Sequence, residues 1–416
     1  MAALALLGVA APQRALAAGD VERALAAWTR FHPATSALVV RLAPGGPQTI
    51  VSHLPDTPRA PASNMKLITS AGALLALGTE FRFETRLATV PAAGAPGGGR
   101  VLRGPLYLKG FGDPVLATGA FARRYLGGRA ATLTDLARQL NADGVREVRG
   151  PIVADDTFFD RRRTGNGWLS HYHLYSPPLA GLSTNLNYAG GGRWANVSSP
   201  ALAAAERMRA ALRAVGIRHL GPLRSGRTPT AATTVASVLS PPLRVILRHM
   251  NPDSDNFIAE TLTKDVGAYA AGTGSTAVGT SYIARLLRER GILAGGERLV
   301  DGSGLSRENR LTASGLVRLV QAADADPGWG AALMRSLPQG GEGTLVRRLR
   351  GSMVRARVRA KTGYINGVSA LSGRVVSRRG ERYAFSFLMR TSDTAGARAA
   401  QDRMVTLLAA GRADPS

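Results

Sequence analysis

The chain has 416 residues, 45% hydrophobic and 19% charged, with 49 Gly, 23 Pro and no Cys. This balance allows a large buried core and about two to three domains, and it excludes a mainly disordered chain, a disulfide framework, a thiol nucleophile and Cys-held metal centres. The net charge of +25 rests on 49 Arg and only four Lys, and the arginines are scattered rather than gathered on an aromatic-rich basic helix, so no specific nucleic-acid partner is expected.

In chain order, residues 2–11 (AALALLGVAA) form an apolar run of secretion-signal length, followed by the small-x-small pattern Ala15-Leu16-Ala17. No Lys or Arg precedes the run, yet its length and the cleavage pattern mark 1–17 as a signal peptide and the protein as exported, to the periplasm or an equivalent extracytoplasmic space. No later run reaches the roughly 18 apolar residues of a bilayer span, so no transmembrane segment is expected. Residues 20–31 have helical periodicity with Asp20 placed to cap, and 36–42 and 49–51 read as strands. Residues 63–77 are apolar nearly all round, the pattern of a helix inside a domain, and Gly78 stops it.

A Gly/Pro/Ala loop at 91–100 opens a different stretch, with a strand at 105–109, a helix at 133–140, a strand at 150–154, irregular chain over 158–199 and a helix at 201–216. Helices return at 242–250, 256–264, 279–290 and 316–323, the last behind Thr312-Ala313-Ser314. Strands are expected at 354–360, 367–376 and 383–390, and an amphipathic helix at 394–410 closes the chain. The fold class is therefore α+β: an antiparallel sheet flanked by helices, formed by 18–85 and 235–416, with 86–234 inserted as an accessory lobe.

Three short motifs carry chemistry. Ser63-Asn64-Met65-Lys66 puts a hydroxyl and an amine on one helix face, and Lys66 alone among the four lysines has Ser three places before it. Burial of a Lys in an apolar helix lowers its pKa towards usable base strength, which Arg cannot match. Ser254-Asp255-Asn256 offers a hydroxyl and an amide at a helix start, and Ser183-Thr184-Asn185 repeats the pattern in irregular chain. Lys361-Thr362-Gly363 offers an ammonium, a hydroxyl and room for a substrate backbone, a set suited to a carboxylate. Each motif alone is equally readable as a cap or a turn. The paired His171 and His173 lack a third ligand, and neither a metal nor a cofactor is expected.

Taken in order, Ser-x-x-Lys, Ser-x-Asn and Lys-Thr-Gly are the set of the serine penicillin-recognising enzymes. The chain resembles the D-alanyl-D-alanine carboxypeptidase/endopeptidase family of low-molecular-mass class C penicillin-binding proteins, in the subgroup with a long insertion between the first two motifs. Segments 110–114 (GFGDP), 151–159 (PIVADDTFF), 180–187 (AGLSTNLN), 301–307 (DGSGLSR) and 360–372 (AKTGYINGVSALS) resemble it too. The resemblance implies a β-lactamase/transpeptidase-like catalytic fold, peptidoglycan stem peptides as substrate and β-lactams as covalent inhibitors. It implies Ser63 as the acylated nucleophile, Lys66 as its base, Ser254 as proton carrier to the leaving group and Asn256 as a clamp on the substrate amide. Lys361, Thr362 and Gly363 would receive the terminal carboxylate, and the N–H groups of Ser63 and Tyr364 would form the oxyanion hole. Asp113 and Arg307 match positions that contact the ammonium and carboxylate of the stem-peptide side chain. Tyr364 departs from the family, which has a small hydroxyl residue there. A β-lactamase or esterase on the same fold, and a non-catalytic envelope-binding protein, are the rival readings.

Overall fold

The computed structural model describes residues 19–90, 101–190, 193 and 195–413. The segment 1–17 read as a signal peptide and the loop at 91–100 lie outside the described residues.

Both ends of the chain contribute to one five-stranded sheet. Its order is Val358–Ile365, Val368–Val376, Arg382–Arg390, Thr35–Ala43 and Gly46–His53, antiparallel throughout. Alternate residues of each strand face opposite sides, so two cores can form on one sheet. On one side the helices Asp20–Thr29 and Thr394–Ala409 pack Val21, Leu25, Val405 and Leu408 against Phe385 and Phe387. On the other, seven of the described helices between Met65 and Ser336 share a core with Ala370, Ala384 and Leu388.

The helix Met65–Leu77 sits at the centre of that second core, and every residue from Met65 to Leu74 is buried. Side chains such as Leu67 and Ile68 contribute about 1.5–3 kcal/mol each by leaving water. Gly72 allows the close approach of the helix Thr276–Glu289, since a Cβ there would lie 2.7 Å from Ile283.

A second five-stranded sheet lies between Glu84 and Leu239. Its order is Thr233–Leu239, Glu84–Thr89, Leu106–Gly110, Ile152–Asp155 and Leu223–Ser225, with the first two pairings antiparallel and the last two parallel. Helices Leu133–Ala142 and Pro200–Ala214 cover it through Leu136, Leu140, Met208 and Leu212, which pack with Leu87, Leu108 and Ile152. Helix Leu133–Ala142 opens with a capping box in which Thr132 and Asp135 satisfy each other's backbone N–H groups.

Three local expectations change. Asp20 does not cap: Gly19 occupies that position, and Asp20 lies in the first helical turn, paired with Arg23 and Arg412. The strand expected at 354–360 begins at Val358, because pairing starts with Val358 opposite Val375, while 351–357 turn with Val354 buried. Lys361-Thr362-Gly363 is therefore inside the strand rather than beyond it. The strand expected at 150–154 runs Ile152–Asp155 instead, and Asp155 is fully buried and accepts hydrogen bonds from Thr157 and Thr228.

Candidate active site

Ser63 lies in a single 3-10 turn, Ala62–Asn64, that leads into the helix Met65–Leu77. Ala62 takes φ +47°, a left-handed conformation costly for a residue with a Cβ. Two contacts hold the turn in place. Asn64 Nδ2 donates to the Lys361 carbonyl at 3.1 Å, and Gly304, at φ +86°, lies so close that a Cβ there would be 1.9 Å from the Ala62 carbonyl oxygen.

One turn on, Lys66 is fully buried and its Nζ has three acceptors. They are Ser303 O at 2.7 Å, Asn256 Oδ1 at 2.8 Å and Ser63 Oγ at 3.2 Å. Three acceptors match the three N–H bonds of an ammonium. When one proton leaves, the amine can keep the two shorter bonds and turn its lone pair to the Ser63 hydroxyl. Burial pulls the Lys66 pKa down to about 8, against the opposing pull of Asp301, Glu260 and Asp255.

Glu260 and Asp301 build the support beneath this contact. Glu260 Oε1 accepts the N–H groups of Gly302 and Ser303 at 3.0 and 2.8 Å, which fixes the carbonyl that Ser303 presents to Lys66. Burial, reinforced by the Asp301 charge, pushes Glu260 up to about 8. Asp301 accepts from Gly304 N, Ser306 N, Asn309 Nδ2 and Trp168 Nε1 at 2.6–2.9 Å.

Ser254 stands where two helices meet. It ends Leu243–Asp253 in the left-handed region, φ 57° and ψ 41°, and Asp255 then caps Asn256–Ala271 by accepting the Ile258 N–H at 3.0 Å. That abrupt turn aims Ser254 and Asn256 at the same space as Ser63, and all three line a cavity of about 350 Å3. Asn256 Nδ2 also donates to the Tyr175 carbonyl at 2.9 Å. The segment 169–175 supplies one wall of the cavity through Leu169, His171, Tyr172 and Tyr175.

The strand Val358–Ile365 is the edge of its sheet and passes beside the Ser63 turn. Gly363 is needed there, since a Cβ would lie 2.7 Å from the Pro61 carbonyl oxygen and 2.9 Å from Asn64 Nδ2. Lys361 is fully buried, and burial together with the Lys66 charge holds its pKa well below the usual lysine range. Its Nζ donates to the Thr362 carbonyl at 3.0 Å, and the Thr362 hydroxyl to Thr344 Oγ1 at 2.8 Å. Tyr364 is half exposed and lines the cavity with Arg307, whose Nη2 donates to the Asn366 carbonyl at 2.7 Å.

Asp113 is not brought to this cavity. It is buried in the second core region, where Oδ1 accepts the Val115 N–H at 2.8 Å and Oδ2 has no partner among the described residues. Its neighbour Gly112, at φ +88°, lies against Asp265 in the middle of helix Asn256–Ala271. The turn thus folds the carboxyl inward rather than towards the mouth of the site. The second Ser-x-Asn is structural, with Ser183 Oγ bonded to the Ala180 carbonyl and Asn185 Oδ1 accepting from Thr118. Among the described residues no group of three or more His, Cys, Asp or Glu is placed to hold a metal.

Sequence reasoning did not single out Glu260, Trp168, Tyr175 or Thr344. Asp301 appeared only as the start of a family-like segment. The one available signal was Glu260 on the buried face of the helix that Asn256 begins.

The model of the D-Ala-D-Ala carboxypeptidase 3 (S13) family matches residues 17–191 and 186–411. A D-alanyl-D-alanine carboxypeptidase from an Actinomadura species is 31% identical, over 84% of this chain and 76% of that one. Carboxypeptidase DacB of Mycolicibacterium smegmatis is 32% identical, over 84% and 75%. The crystal structure of penicillin binding protein 4 from Haemophilus influenzae has the same fold, with a TM-score of 0.74 at 24% identity over 94% of this chain and 98% of that one. With matches spanning both the Ser63 turn and the strand of Lys361, the chain belongs to the D-Ala-D-Ala carboxypeptidase 3 (S13) family.

Proposed function

We propose that the protein is an exported serine D-Ala-D-Ala carboxypeptidase that trims peptidoglycan stem peptides through an acyl-enzyme on Ser63 and is acylated by penicillin. The observation that carries this reading is the buried Lys66 amine, held between Ser63, Asn256 and the Ser303 carbonyl at the wall of an open cavity.

Catalysis begins when the neutral Lys66 amine takes the Ser63 proton and Oγ attacks the carbonyl carbon of the penultimate D-alanine. The N–H groups of Ser63 and Tyr364 receive the oxyanion, a contribution of about 2.7–4 kcal/mol per donor in other hydrolases. As the C–N bond breaks, the proton passes from Lys66 through the Ser254 hydroxyl to the departing D-alanine nitrogen. Water then attacks the ester, with Lys66 again as base, and releases the shortened peptide. A cross-link is cut by the same steps when the leaving amine belongs to a second stem.

Lys361 and Thr362 receive the terminal carboxylate. A carboxylate there restores the proton that burial and Lys66 tend to remove from Lys361. Residues 86–234 make up most of an accessory lobe; a sheet and an apolar core of its own support the lobe, although the strands Glu84–Thr89 and Thr233–Leu239 run past both limits. The expected result is release of D-alanine from a D-Ala-D-Ala peptide by the wild type and none by Ser63→Ala. Release without any dependence on Ser63 overturns the reading.

A further inference from the structure

Beside the catalytic cavity lies another, of about 450 Å3, which shares Arg307, Ile365 and Asn366 with it. Arg59, Arg307, Arg310 and Arg390 line it, and among the described residues no acidic side chain does. Some arginines of this chain find carboxylates, as Arg298 does with Glu308 at 2.8 Å. Among the described residues none of these four has an ion pair. Their partners are neutral: Arg59 Nε donates to Ser36 Oγ at 2.7 Å, Arg307 Nη2 to the Asn366 carbonyl at 2.7 Å, and Arg310 Nη1 to the carbonyls of Arg307 and Asn309 at 2.6 and 2.8 Å. Such bonds orient a guanidinium without cancelling its charge. Burial and the Arg390 charge both lower the pKa of Arg59, the mark of like charges held close.

The position of the pocket relates it to the substrate. Thr362 and Ile365 lie on the same edge strand, three residues or about 10 Å apart. A peptide extended along that edge, with its terminal carboxylate at Thr362, places the residues upstream of D-Ala-D-Ala beside the pocket. We propose that Arg59, Arg310 and Arg390 complete a subsite for a further carboxylate on the stem peptide, beyond the side-chain carboxylate assigned to Arg307. The proposal rests on the carboxypeptidase reading for the direction of the peptide.

The test uses two D-Ala-D-Ala peptides that differ only in an upstream backbone carboxylate, free in one and amidated in the other. Calorimetric binding to Ser63→Ala protein needs no turnover. The free carboxylate should bind roughly tenfold tighter, as one charge-assisted contact allows. The preference should fall below about threefold when Arg310→Gln and Arg390→Gln are added. Equal binding of the two peptides, or a preference that survives both substitutions, overturns the subsite. Competition by inorganic phosphate without any preference between peptides makes the pocket a free-anion site and overturns the assignment to substrate. Release of D-alanine from the amidated peptide by wild type separately reports the carboxypeptidase reading, so the two failures are distinguishable.

Discussion

The pH dependence of acylation follows from the state of Lys66. Its pKa of about 8 means that the neutral fraction rises from about a tenth at pH 7 to about nine-tenths at pH 9. If the neutral amine is the base, the rate of Ser63 acylation by penicillin, followed by intact mass in quenched samples, should rise roughly ninefold over that interval. Glu260→Gln perturbs this without dismantling the site, because the amide oxygen can still accept the Gly302 and Ser303 N–H groups. Asp301 first and Glu260 second hold the Lys66 pKa up, and Glu260, itself pushed up to about 8, gains its charge over this same interval, so Glu260→Gln should move the midpoint to lower pH mainly through the upper part of the profile. Lys66→Arg keeps its proton at every pH and should lower the rate by about 10²–10⁴ with a flat profile. A wild-type rate that does not change between pH 7 and 9, or a midpoint that rises in Glu260→Gln, refutes the assignment of Lys66.

Three further predictions concern neighbouring elements. Lys361→Ala should lower kcat/KM for D-Ala-D-Ala peptides by roughly 30-fold or more, since truncating one partner of a desolvated pair costs about 2–5 kcal/mol. Amidating the terminal carboxylate should cost a similar factor in the wild type and little more in the variant, whereas losses that multiply would show that the two groups do not meet. Gly363→Ala places a Cβ against the Pro61 carbonyl, so the edge strand must move off the Ser63 turn at about 1–3 kcal/mol. Its penicillin acylation should slow by about tenfold, and a rate within about twofold of wild type would separate strand from turn. In the second core region, burial pushes Asp113 up to about 7, and Asp265, both of whose oxygens lack a hydrogen-bond partner among the described residues, well above the carboxylate range. From about pH 4 upward the unfolded chain releases protons that the folded chain keeps, so stability falls as pH rises through this window. Asp265→Asn should therefore raise Tm by about 2 °C or more at pH 7.5, and by less at pH 4; an equal shift at both would exclude titration as the cause.

The parts of the site that were legible in the sequence are those whose meaning is local. The spacing of Ser63 and Lys66 announces that they meet, although Ser63 lies in the 3-10 turn just before the helix, and the apolar residues around Lys66 announce its burial. Ser254-Asp255-Asn256 shows its helix start because Asp255 is an ordinary cap. The edge strand was placed four residues early because Val354 is as apolar and as buried as a strand residue while belonging to a turn. Glu260, Trp168 and Thr344 act across distant parts of the chain, so no local pattern marks them. Asp113 shows the opposite failure. Its motif is conspicuous, but whether the carboxyl faces the cavity or the interior is decided by the turn at Gly112 and its packing on the helix that carries Asp265.

The central claim is that Ser63 is the nucleophile, activated by Lys66. The most direct measurement is intact mass after incubation with a fluorescent penicillin, followed by mapping of the labelled peptide. The account predicts one adduct per chain, on the peptide containing Ser63, and none in Ser63→Ala. A label on Ser254 or Ser183, or an adduct that persists in Ser63→Ala, would contradict it.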